Sequence, residues 1–197
     1  MSTVTSIQII NKSLLKIRRK TITSITEDSA EGRAANVLYT LERDSVLASH
    51  PWNFAIERTK PQLLSATPAF EFDYQYQLPA DCLRVLYLYD SDQRFKVEGR
   101  KLLTNEGSPK VVYIKRITDT SQFSPLFVDA LSTKLSAELV VALTDDDAAA
   151  EVLYSQFKDK MREAKRRDGQ EGTMDTIVYD TIINSRRGII RSKFEDI

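Results

Sequence analysis

The sequence predicts an α+β protein: an antiparallel helical bundle of two helical hairpins, residues 1–53 and 120–172, with a small antiparallel β-sheet inserted at 54–119 and a C-terminal tail at 173–197. Three observations predict it. Apolar residues recur at steps of three and four in both flanking stretches, they alternate with polar residues in the middle, and beyond residue 172 no period is sustained. At this length neither helix pair buries its apolar stripe alone, so the two pairs are expected to meet in one core.

Ile7, Ile10, Leu14 and Ile17 put one apolar stripe on a first helix that ends in Arg18, Arg19 and Lys20, cations suited to a helix C-terminus. After the β-branched connector TITSIT, Asp28 is placed to cap a second helix, with Glu31 three residues on as the other half of a capping box. Ala34, Leu38, Leu41, Ser45 and Ala48 line one face of that helix. It must finish near His50, because Pro51 disfavours helical geometry in the residue before it.

In PAFEFDYQYQLP the residues Phe70, Phe72, Tyr74, Tyr76 and Leu78 alternate with Glu71, Asp73, Gln75 and Gln77, which predicts a strand with its aromatics on one side. LRVLYLYD, RFKVEGRKLL and PKVVYIKRI are further strands, separated by Asp-Ser-Asp, Glu-Gly-Arg and Asn-Glu-Gly-Ser-Pro turn chemistry. Helix resumes at Ser124-Pro125, a capping residue followed by proline at the first helical position. Phe127, Leu131, Leu135, Leu139 and Leu143 line that third helix, with Ala130, Ala137 and Val141 beside them. Leu153, Phe157, Met161 and Ala164 line a fourth, which opens at TDDD and closes at Asp168-Gly169. So short a turn between two long helices predicts antiparallel packing.

Composition narrows the function. Of 197 residues, 28 are Lys or Arg and 28 are Asp or Glu, so no global field draws the chain to nucleic acid or anionic lipid, and any basic surface must be local. Cys82 is alone, which rules out a disulfide within the chain and a thiolate metal cluster and points to a reducing compartment. The first residues lack the charge order of a secretory signal, and no apolar run approaches the ~18–20 residues of a membrane span. The expectation is a soluble chain, at first in the cytoplasm. Phosphate-cradling glycine loops, Gly-x-Ser-x-Gly elbows and His-Glu-x-x-His helices do not occur, and no cofactor is expected.

The stretch SHPWNFAIER concentrates scarce residues: the one His, the one Trp, a Pro and a Phe within five positions. Acid–base or metal chemistry at His50 would need a second histidine or a carboxylate on the same face, and the flanking sequence supplies neither. The preferred reading is a structural corner of His50, Pro51, Trp52 and Phe54, with Pro51 ending the helix, the two aromatics wedged between helices and sheet, and His50 and Asn53 bonded to local backbone. Asp145, Asp146 and Asp147 read as capping and dipole residues rather than a cation site. The FEFDYQYQ aromatics read as packing rather than base stacking, since the alternate positions are acidic. Lys158, Lys160, Arg162, Lys165, Arg166 and Arg167 form a cluster poor in acids, either a solvated helix end or a surface toward DNA or an acidic partner.

Taken in order, SLLKI, ITSITEDSAEGRAANVLYTLERDSVLASHPWNFAIER and YQYQLPADCLRVL give the first ninety or so residues a resemblance to the tail tubular protein A, or head-to-tail adaptor, family of tailed bacteriophages. The later helix pair agrees in pattern rather than in motif. The connector after the first helix reads IRRKTIT where members of the family often carry Gly and Pro. The resemblance implies a non-enzymatic virion component at the head–tail junction, assembled in the host cytoplasm. It implies a ring of twelve copies beneath the portal protein, joined below to the tail nozzle or next tail protein, with genomic DNA passing through the channel and no membrane partner. The tail would reach the portal through Tyr179, Ile182, Ile183, Ile189, Ile190 and Phe194, with Arg186 and Arg187 against portal carboxylates, and the Lys158–Arg167 cluster would border the DNA channel. Two rivals are a phage-associated peptidoglycan hydrolase using carboxylates such as Glu57 or Glu71, and a nucleic-acid-binding adaptor.

Overall fold

The computed structural model describes residues 4–89 and 91–171, which form four helices and two small antiparallel sheets, a mixed α+β architecture. The tail at 173–197, with the portal-contact residues assigned to it, lies outside the described residues.

Helix α1 (Ser6–Lys16) opens on a capping box: the Thr5 hydroxyl accepts from the Gln8 N–H, and the Gln8 side chain accepts from the Thr5 N–H at 2.8 Å. It stops before the cationic run expected to close it, where Arg18 turns to φ +58°. The buried positions are Ile9, Ile10, Ser13 and Leu14, while Ile7 and Ile17 are only half-buried. The connector is pinned by Asn11, whose side chain donates to the Ile22 carbonyl at 2.9 Å and accepts its N–H at 2.8 Å.

Helix α2 (Ala30–Ala48) is capped by Ser29, not Asp28: the Ser29 hydroxyl accepts from the Gly32 N–H at 3.1 Å, and Glu31 instead pairs with Arg19 at 3.0 Å. Gly32 is required there, because a Cβ would lie 2.3 Å from the Glu27 carbonyl oxygen. The inward face carries Ala35, Tyr39, Arg43, Val46 and Leu47. Of the stripe read from spacing, Ala34, Leu38 and Ala48 are half-buried, Ala34 and Leu38 against the core, while Leu41 is 60% exposed and Ser45 is in solvent; Val37, outside that stripe, is 61% exposed. The cause is the chemistry of the inner face, where a tyrosine and an arginine at core positions hide the true stripe from a count of aliphatic residues.

Seven strands follow in chain order: β1 (Ile56–Thr59), β2 (Gln62–Leu63), β3 (Tyr74–Gln77), β4 (Cys82–Tyr89), β5 (Phe95–Glu98), β6 (Lys101–Thr104) and β7 (Lys110–Lys115). They form two sheets rather than one, of order β1-β7-β4 and β2-β3-β6-β5. The β5–β6 hairpin turns through Gly99 and Arg100, both at positive φ, the two-residue geometry that suits the right-handed twist of the strands. β3 is shorter than the alternation predicts. Glu71 at φ +74° breaks the strand, Phe70 stands 82% exposed, and Gln75 is buried with its amide donating to the Ala66 carbonyl at 2.7 Å. In β7 the alternation serves two cores: Ile114 joins the helices, whereas Val111 and Tyr113 face Tyr76, Leu78, Leu88 and Leu102 between the sheets.

Helix α3 (Pro125–Thr144), with Ser124 capping the Phe127 N–H and Pro125 at its first position, is buried almost all round along Ala130–Val140. It packs on α1, α2 and helix α4 (Asp147–Asp168), whereas α1 and α2 meet each other only slightly. Small polar residues permit the close crossing with α1: the Ser136 hydroxyl donates at the crossing to the Ser13 carbonyl, 3.1 Å away, and to its own helix at the Ser132 carbonyl, 2.6 Å away. Leu153, Phe157, Met161 and Ala164 line the inner face of α4 as their spacing predicts, with burial deepening toward its C-terminus. No helix among the described residues is long and apolar enough to cross a membrane.

Candidate functional site

The chain's scarce residues meet where α2 ends and β1 begins. Ser49 closes the helix, its hydroxyl donating to the Val46 carbonyl at 2.7 Å, and Pro51 prevents a further turn. A short 3-10 turn, Asn53–Ala55, then leads into β1. Trp52 is 0% exposed, and its indole N–H donates to the Val46 carbonyl at 3.1 Å, so the ring is both buried and satisfied. Phe127 meets it edge-on at 5.1 Å and His50 at 4.8 Å, while Phe54 stacks at 6.0 Å. Phe123, just before α3, and Phe127, in its first turn, complete this aromatic cluster. Spacing alone had not joined them to the corner.

The principal residue that sequence reasoning missed is Asp168, the last of α4 and buried. Its carboxylate accepts the Asn53 N–H at 3.1 and 3.3 Å and lies 3.2 Å from His50 Nε2, and its backbone carbonyl accepts from the Asn53 amide at 2.6 Å. His50 and Asn53 thus bond across 115 residues or more of chain, not to local backbone. A signal did exist: an aspartate at a helix C-terminus opposes the helix dipole and needs donors from elsewhere. Burial pushes the His50 imidazole below its ordinary value; the Asp168 bond opposes this, while Lys165 and Arg84 reinforce it. A neutral imidazole then donates its Nε2 proton to the carboxylate. The constellation is a latch that ties the end of α4 to the joint between α2 and β1.

A second polar cluster lies between α1, α3 and α4. Lys12 and Lys160 each take one oxygen of Asp129, the latter at 2.8 Å, while Lys16 donates to Ser132 and Thr133 at 3.2 and 2.5 Å. Burial first, then the neighbouring Lys160, lowers Lys16 to about 8. Burial opposes ionisation of Asp129, but the bonds from Lys12 and Lys160 outweigh it and hold the carboxyl at about 2.

The basic cluster on α4 is therefore divided. Lys160 bonds Asp129, with about a third of its side chain still exposed. Lys158 lies 4.8 Å over the Tyr154 ring, Arg162 pairs with Asp159 at 3.0 Å, and Lys165 is half-buried. Arg166 and Arg167 are exposed and line a cavity of about 390 Å³ with Leu126, Glu163 and Gln170. Asp145 ends α3 at φ +51°, and the Asp146 carboxylate caps the Ala149 N–H at 2.9 Å. Glu57 bonds Lys115 at 3.2 Å, which holds it below the usual carboxylate value, the wrong direction for a general acid; Glu71 lies in an exposed loop. Burial pushes the Cys82 thiol up, away from the reactive thiolate. Among the described residues no group of three His, Cys, Asp or Glu is placed to hold a metal.

No protein-family model matches this chain, and no curated protein matches it.

Proposed function

We propose that the chain is a structural head-to-tail adaptor of a tailed bacteriophage, a ring component that docks to the portal protein, joins it to the tail and leaves a channel for DNA. The helices, with α1, α2 and α4 packed on α3, make the ring wall, and the sheets face the next tail protein. The work is mechanical, not catalytic. The resemblance of residues up to about ninety supports this reading, and one observation in the described residues carries it furthest. Apolar side chains stand exposed at separate places on the helices: Val37 and Leu41 on α2, Val141 at the end of α3, Val152 beside the Lys16–Arg18 end of α1, and Tyr154 under Lys134 on the α2 side of α4. A closed ring requires two distinct, complementary patches per subunit, since head-to-tail contacts join unlike surfaces. Exposed apolar side chains like these are what such contacts bury.

Closure of the ring multiplies a modest pairwise contact, so a subunit that stays monomeric alone can still assemble on its portal template. The tail segment 173–197 supplies the portal contact. Val37→Asp with Leu41→Asp, at exposed positions, should leave the circular dichroism and urea midpoint unchanged and abolish ring assembly on the cognate portal. Assembly at wild-type extent by that double variant would refute the assignment of α2 to the subunit boundary.

A further inference from the structure

The sheet β1-β7-β4 has one face with a charge distribution unlike the rest of the chain. Antiparallel partners share a face, and the register places Arg58, Val112 and Tyr87 in one row, Lys110 and Tyr89 in the next, and Ile56, Ile114 and Arg84 in the row nearest the helices. Lys60, one residue beyond β1, joins Arg58, Tyr89 and Lys110 around a cavity of about 290 Å³ that also reaches Val112. All four cations are exposed, and Tyr87 and Tyr89 are 38% and 49% exposed. The one acid within these three strands, Glu57, sits on the opposite face and bonds Lys115. Arg58, Lys60 and Arg84 form no salt bridge among the described residues, and Lys110 lies 5.8 Å over the Tyr89 ring.

We infer that this face is a docking surface for single-stranded nucleic acid, with phosphates held by Arg58, Lys60, Arg84 and Lys110 and bases stacked on Tyr87 and Tyr89. Three strands span about 10 Å, so four cations within that width meet a ligand carrying one negative charge per nucleotide. An acidic protein would answer the charge but would not use the rings, whereas every base has a face to stack on tyrosine. A duplex keeps its bases stacked on one another and withholds them from a flat sheet. The assignment stands on the sheet face alone and does not depend on the ring.

The test is fluorescence anisotropy of the full chain with labelled dT20 across a salt titration. Three to four phosphate contacts give a slope of log K against log salt of about −2 to −3. Arg58→Ala with Lys60→Ala should make that slope shallower by about 1.4 and weaken binding at low salt at least tenfold. Tyr87→Ala with Tyr89→Ala should weaken it about thirtyfold or more with the slope unchanged, and Tyr87→Phe with Tyr89→Phe should restore it. Lys20→Ala and Lys101→Ala, at exposed positions elsewhere, should change nothing. Circular dichroism confirms that each variant is folded. Wild-type binding by the Arg58/Lys60 variant would overturn the inference. So would tighter binding of a 20-base-pair duplex than of dT20, or displacement of dT20 by polyglutamate at equal charge concentration.

Discussion

Replacing Asp168 by alanine removes the acceptor that ties α4 to the joint between α2 and β1. Two bonds go: the Asn53 N–H to both carboxylate oxygens, and the His50 contact at 3.2 Å. A bond to a buried charged acceptor contributes about 1.5–3 kcal/mol, so the Asn53 bond supplies about 2. The His50 bond, at a ring that still touches water, adds about 1. The Asn53 amide still reaches the residue 168 backbone carbonyl, so the joint is loosened and not freed. Asp168→Ala should therefore cost about 3 kcal/mol, and with a urea slope of about 2 kcal/mol/M the midpoint falls by about 1.5 M. Far-ultraviolet circular dichroism and fluorescence of Trp52, the only tryptophan, would follow the transition. The pH dependence carries a sign as well. The folded value of His50 lies below its ordinary 6.5, so the unfolded chain holds more proton in that window and stability falls as pH drops below 6.5. Without Asp168 the folded value drops further, and the variant should lose more stability than wild type between pH 6.5 and 5. A cost under 0.5 kcal/mol, on the order of an exposed surface change, would refute the latch.

Two further predictions concern buried polar groups. The Tyr39 hydroxyl is buried with no hydrogen-bond partner among the described residues, so Tyr39→Phe should stabilise the chain by about 1 kcal/mol in urea titration; destabilisation by that amount would reveal a partner for the hydroxyl. Lys16, held at about 8, is charged at a cost below pH 8, and that cost is relieved as pH rises from 8 to 10.5. Lys16→Met should gain about 1 kcal/mol at pH 7, after discounting for the water that still screens a half-buried group, and the gain should shrink toward pH 10.

What the sequence made legible follows from which forces are local. α3 and α4 announce themselves because large aliphatic residues repeat along them, and the Ser124-Pro125 start and the Gly99-Arg100 turn follow from backbone chemistry a few residues long. α2 was legible as a helix but the centre of its buried face was not, since Tyr39 and Arg43 occupy core positions while Ala34 and Leu38 lie at the edge of that face and Leu41 stands outside. The division of the strands into two sheets was hidden because it is set by pairing between strands far apart in the chain, β1 with β7 and β3 with β6, while Glu71 cuts β3 short of an alternation that reads as continuous. At the corner, the burial of Trp52 could be anticipated from its size, but the pairing of His50 and Asn53 with Asp168 depends on a contact between residues 115 or more apart. The basic face of the first sheet was equally hidden, because Arg58, Arg84 and Lys110 come from three separate strands.

The central claim is that this chain is built to touch copies of itself on a portal template, and sedimentation equilibrium of the full chain mixed with the portal protein of the same phage tests it most directly. The account predicts a complex with one copy of the chain per portal subunit, twelve on a twelve-fold portal, and no such complex after removal of residues 173–197. A chain that stays monomeric beside the assembled portal, or binds it equally well without that segment, would contradict the account.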